Sequence, residues 1–135
     1  MTTKERYSGI QSILANCGSE GCHFLSLCSI IEEVNNKPID LIEVIKLSQS
    51  KGWLDSFFFV KDGIKLLNFF TKKKWKREEV VKLPKTIADN EYTEAVYFNE
   101  RTGFYHYRRR GWDTIVDSTT VREGVLLKYY IWSFE

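Results

Sequence analysis

The chain has 135 residues, enough for one domain and for a core that buries roughly two-thirds of the unfolded surface. Hydrophobic residues make up 43% and charged residues 28%, which excludes disordered, collagen-like and low-complexity classes. Twenty Lys and Arg against 18 Asp and Glu give a net charge of +2, so charge supplies no reason to expect a nucleic-acid or membrane partner.

The apolar spacing is mainly helical from Met1 to Thr71 and mainly alternating from Trp75 to Glu135. The turn signal Gly18-Ser19-Glu20-Gly21 predicts a helix from about Cys22 to Val34, with Phe24, Leu25, Cys28, Ile31 and Val34 as one apolar stripe. Asn35-Asn36-Lys37-Pro38 ends it. Asp40 suits the N-cap of a second helix that runs toward Gly52, and Asp62 that of a third. Lys72-Lys73-Lys74 is expected at the C-terminal end of the third, where cations suit the helix dipole. Strands are predicted at Glu78–Leu83, Glu94–Asn99 and Val125–Phe134. Phe104–Arg109 and Trp112–Ser118 read as a hairpin around Arg110-Gly111. The expected fold is a single α+β domain over residues 1–135, N-terminal helices packed on a C-terminal antiparallel sheet.

Three cysteines, Cys17, Cys22 and Cys28, crowd into one short stretch. An odd, clustered set is not a secreted disulfide framework and suits free thiols in a reducing compartment. Met1–Gln11 is polar with no apolar signal core, and no apolar run approaches the roughly 18 residues of a membrane span. These observations predict a soluble cytoplasmic protein with no membrane partner.

Cys22 follows Gly21 and opens a predicted helix. Unpaired N–H groups and the positive end of the macrodipole favour thiolate over thiol there, and the same N–H groups can hold an oxyanion. Cys28 falls mid-helix on the apolar stripe and reads as core. A nucleophilic cysteine needs a base. His23 is adjacent, and neighbouring helical side chains diverge, which leaves His106 in the strand Phe104–Arg109. A two-residue turn at Arg110-Gly111 would set His106 opposite Ile115 and Arg108 opposite Asp113. Asp117 would then lie diagonal to His106 on the same face, about 7–8 Å away, where a carboxylate can orient an imidazole. That placement depends on register.

The order Cys22, His106, Asp117 resembles the papain-like cysteine peptidase fold, in which a cysteine at a helix start precedes a His and an Asn or Asp from an antiparallel sheet. Cys17-Gly18-Ser19-Glu20-Gly21-Cys22-His23-Phe24-Leu25-Ser26 partly matches the papain-type stretch Cys-Gly-Ser-Cys-Trp-Ala-Phe-Ser. In size the chain is closer to small bacterial branches such as the bacteriocin-leader-processing peptidases. Gly21-Cys22-His23-Phe24-Leu25-Ser26-Leu27 is also similar to the helix start of a family of small plasmid- and phage-associated bacterial proteins. The resemblance implies a peptide or protein substrate, no cofactor, and Asn16 at the place of the oxyanion-hole Gln, with a shorter reach.

The function expected is hydrolysis of an amide or isopeptide bond by a Cys22–His106–Asp117 triad. One alternative is a non-catalytic binding module on the same fold. Another is a single-strand nucleic-acid binder that grips phosphates with Lys72–Arg77 and stacks Trp75 on a base. Cys17, Cys22, His23 and His106 do not have a standard zinc spacing, and there is no phosphate-binding glycine loop. The aromatic content, 15%, suits a core or an interface, so oligomeric state stays open.

Overall fold

The computed structural model describes residues 21–109 and 124–135. Within them lie α1 (Gly21–Asn35), α2 (Leu41–Ser50), α3 (Gly63–Thr71), β1 (Trp75–Val80), β2 (Glu91–Asn99), β3 (Phe104–Arg109) and β4 (Val125–Phe134). The strands form one antiparallel sheet in the order β1-β4-β2-β3. The chain is therefore α+β, helices first and sheet after.

α1 departs from a one-sided amphipathic helix. Every residue from His23 to Ile31 is buried, including Ser26 and Ser29 between the apolar positions. The reason is its place in the fold: β3 packs on it from one side and α3 from another. The stripe from Phe24 to Ile31 is buried as part of this wider surface, and Val34 packs at its margin. Ser29 fits such a position because its hydroxyl bonds back to its own helix, Oγ donating to the Ser26 carbonyl at 2.6 Å.

The two aspartate caps act as their chemistry suggests. Asp40 accepts from the Glu43 N–H at 3.2 Å, and Asp62 from the Lys65 N–H at 3.0 Å. At the far end of α3, Lys72 is itself the C-cap, left-handed at φ 57°, so only Lys73 and Lys74 lie beyond the helix. The next turn explains why β1 starts at Trp75 rather than Glu78. The Asn68 side chain accepts from the Trp75 N–H at 2.7 Å, and Thr71 Oγ1 accepts from its indole N–H at 2.7 Å. These bonds pull the chain into the sheet at once, and β1 ends at Val80, before the exposed Val81.

β2 begins three residues earlier than expected, at Glu91, and β4 matches its expected span. β3 pairs with β2 so that His106 sits opposite Tyr97. The expected partner segment Trp112–Ser118, with Arg110-Gly111, lies outside the described residues. Gly63 opens α3 hard against Trp132: a Cβ there would sit 2.7 Å from the indole edge. That close approach joins the helical layer to β4. Among the described residues no helix is long and apolar enough to cross a membrane.

Candidate active site

The first turn of α1 meets the middle of β3. Cys22 Sγ lies 3.1 Å from His106 Nδ1, although 84 residues separate them. Cys22 is half-buried and His106 is only 1% exposed. A sulfur–nitrogen distance of this size is a hydrogen bond, so a proton can pass between thiol and imidazole without further movement. No acidic residue occupies the first turn of α1 to offset the positive end of the helix. The pair thus has the parts a thiolate–imidazolium couple needs: a nucleophile, a base in contact with it, and a helix start that favours negative charge on sulfur.

His23, next along the helix, turns away from this pair. Its Nδ1 lies 2.7 Å from Glu94 Oε2, and the Trp132 indole N–H donates to Glu94 Oε1 at 3.2 Å. Glu94 is fully buried at 0% exposure and His23 nearly so. A buried carboxylate is tolerated only with donors on its oxygens, and here each oxygen has one. The His23 ring stacks on Tyr107 at 4.4 Å, with Trp132 and Tyr130 at 6.0 and 6.3 Å. Part of the aromatic excess thus walls in this one imidazole.

Sequence reasoning missed the Glu94–His23 pair. The predicted strand Glu94–Asn99 places Glu94 at its first position. With β2 starting at Glu91, Glu94 is mid-strand and in phase with the buried Val96. A single carboxylate in an otherwise inward-facing row was the available signal.

Cys28, two turns along, is fully buried, and burial pushes its thiol well above the ordinary value, with Glu32 adding to the effect. It is a core residue, as its place on the apolar stripe predicts. Asn16, Cys17 and Asp117 lie outside the described residues. Among the described residues no group of three or more His, Cys, Asp and Glu could hold a metal ion. An open cleft of about 330 Å³ is lined by Glu33, Asp89 and Glu91 among others. Glu33 lies 11 residues along α1 from Cys22, a rise of roughly 16 Å, so this cleft is not part of the cysteine site.

Trp75 corrects one expectation. It is 4% exposed, with its indole N–H spent on Thr71, and so cannot stack on a nucleic-acid base. The lysines at 72–74 are exposed around a buried tryptophan, not interleaved with an available ring. Compared with family models, with curated proteins and with solved structures, the chain matches none.

Proposed function

We propose that the protein is a small cysteine hydrolase of papain-like arrangement that cleaves an amide or isopeptide bond in a peptide or protein. The observation that carries this reading is the 3.1 Å contact between Cys22 Sγ, in the first turn of a helix, and His106 Nδ1 on the sheet. In the proposed cycle the Cys22 thiolate attacks the substrate carbonyl carbon, and the carbonyl π pair moves onto oxygen. The Cys22 backbone N–H holds that oxyanion, with Asn16 as the second donor that the papain-like resemblance implies. Collapse breaks the C–N bond, and the His106 imidazolium gives its proton to the departing amine. The thioester left on Cys22 is hydrolysed by a water whose proton returns to His106. Since Nδ1 faces the sulfur, Nε2 is the atom on which Asp117 would orient the ring.

The test is a panel of peptide amides and isopeptides offered to the full chain, with amine release and intact mass followed together. The expected result is transient acylation of Cys22 with amine release. Both are lost in Cys22→Ala and in His106→Ala. Release that survives both substitutions overturns the reading. A panel that gives no release, together with a Cys22 that alkylates like a free thiol, leaves the binding module in its place.

A further inference from the structure

We infer that Glu94, acting through His23, is a positioning residue that holds Cys22 in register with His106. This rests on the hydrolase reading above. Two consecutive residues of α1 and two consecutive residues of β3 meet pairwise: Cys22 touches His106, and His23 stacks on Tyr107. The side chains and the two short backbones close a loop, so the Cys22 backbone cannot shift along β3 away from His106 unless the His23 ring also moves. That ring is fixed from the third side by Glu94, which belongs to β2, and Glu94 is fixed in turn by Trp132 of β4. The helix start is thereby tied to three strands of the sheet.

The choice of a carboxylate follows from the donors around it. The indole N–H can only donate, so Glu94 Oε1 must accept. The 2.7 Å distance to His23 Nδ1 is that of a charge-assisted bond. A glutamine of the same shape has one accepting oxygen and one donating nitrogen, so with its oxygen on the indole its amide meets His23 Nδ1 as a second donor, or the ring must move its proton to Nε2 and accept instead. Either way the charge-assisted bond that fixes the ring is replaced by a weaker one, and the hold on His23, and through it on Cys22, is loosened. In assembled sites of this kind a misplacement of about 1 Å costs about 10²-fold in rate.

The experiment measures the Cys22 alkylation rate against pH by peptide mass, on the full chain, for the wild type, Glu94→Gln, His23→Asn and His23→Phe. Each variant is first shown to unfold cooperatively. Asparagine puts an amide N–H near the place from which Nδ1 donates, while phenylalanine keeps a ring against Tyr107 and removes the donor. The wild type and His23→Asn are expected to share one low-pH inflection. Glu94→Gln and His23→Phe are expected to move it up by about one pH unit, a tenfold loss of thiolate on the acid side. If both fold and keep the wild-type profile, with only their thermal midpoints lowered, the pair is merely structural and the inference is overturned. If Glu94→Gln does not fold, the contrast between His23→Asn and His23→Phe decides.

A wild-type Cys22 that alkylates like a free thiol would instead sink the hydrolase reading. The positioning role is then judged on the His106 ring nitrogens by NMR. Their resonances should move in Glu94→Gln and not in the surface control Glu79→Gln. Resonances that stay put overturn the inference on that arm as well.

Discussion

Replacing His106 with alanine removes the ring whose Nδ1 lies 3.1 Å from Cys22 Sγ, and the size of the effect follows from that contact. Two unit charges at this separation attract by about 5 kcal/mol at an effective dielectric near 20. Taking both out of water cancels much of this, and hydrogen bonds to charged groups net about 1.5–3 kcal/mol. At about 1.4 kcal/mol per factor of ten, the thiolate population at fixed acidic pH should fall about ten- to a hundredfold in the variant. The thiolate that remains is more basic and more nucleophilic, and a Brønsted slope of about 0.4–0.5 returns nearly half of that loss on a logarithmic scale. The net expectation is an alkylation rate at acidic pH lower by about four- to tenfold, with the inflection moved toward that of a free thiol. The assay is iodoacetamide labelling across the pH range, read on the separate cysteine-containing peptides, with buried Cys28 as the internal unreactive reference. A His106→Ala chain whose Cys22 profile overlays the wild type would refute the reasoning, because a ring in contact with the sulfur cannot be removed without consequence if the two share a proton.

Gly63→Ala should destabilise the fold by about 1–3 kcal/mol, since the new methyl meets the buried Trp132 ring at 2.7 Å and overpacking outweighs the better helix propensity of alanine. Thermal unfolding with tryptophan fluorescence would show it, and an unchanged midpoint would mean that the α3–β4 contact is looser than described. Lys72→Gly should stabilise by up to about 1 kcal/mol, because the cap is left-handed at φ 57° and glycine adopts that conformation without strain. Urea midpoints compare the two chains. Cys28 gives a pH prediction whose sign is fixed by burial. Its folded value is raised, so its contribution is fully present below the ordinary value of 9.0 and is lost as pH climbs from there toward the raised folded value. Cys28→Ala should therefore show a shallower loss of stability above that pH than the parent chain, whatever its stability at neutral pH.

The sequence by itself determined the elements whose signals are local. Asp40 and Asp62 cap their helices because a short carboxylate preceding an apolar run satisfies the first free N–H groups wherever the helix packs. The span of β4 was legible because Val125–Phe134 is rich in β-branched and aromatic residues, Tyr129 to Trp132 above all. Cys22 was legible for the same kind of reason, as a thiol following glycine at a helix start. Local signals failed where a neighbour distant in sequence decided the outcome. The bonds of Asn68 and Thr71 to Trp75 moved the start of β1 and buried a tryptophan that basic neighbours had made look exposed. Burial of α1 on several sides erased the contrast between faces that periodicity reads, because periodicity assumes one wet side.

The site divides along the same line. Residue type and order suggested a cysteine and a histidine; only the packing of α1 on β3 brought Sγ within 3.1 Å of Nδ1 across 84 residues of chain. Glu94 looked like a polar strand end until β2 extended beneath it and His23 and Trp132 closed over its two oxygens. A hydrogen bond between side chains far apart in sequence leaves no periodic trace. It exists because tertiary packing excludes water from both partners and leaves each the other as its means of satisfaction.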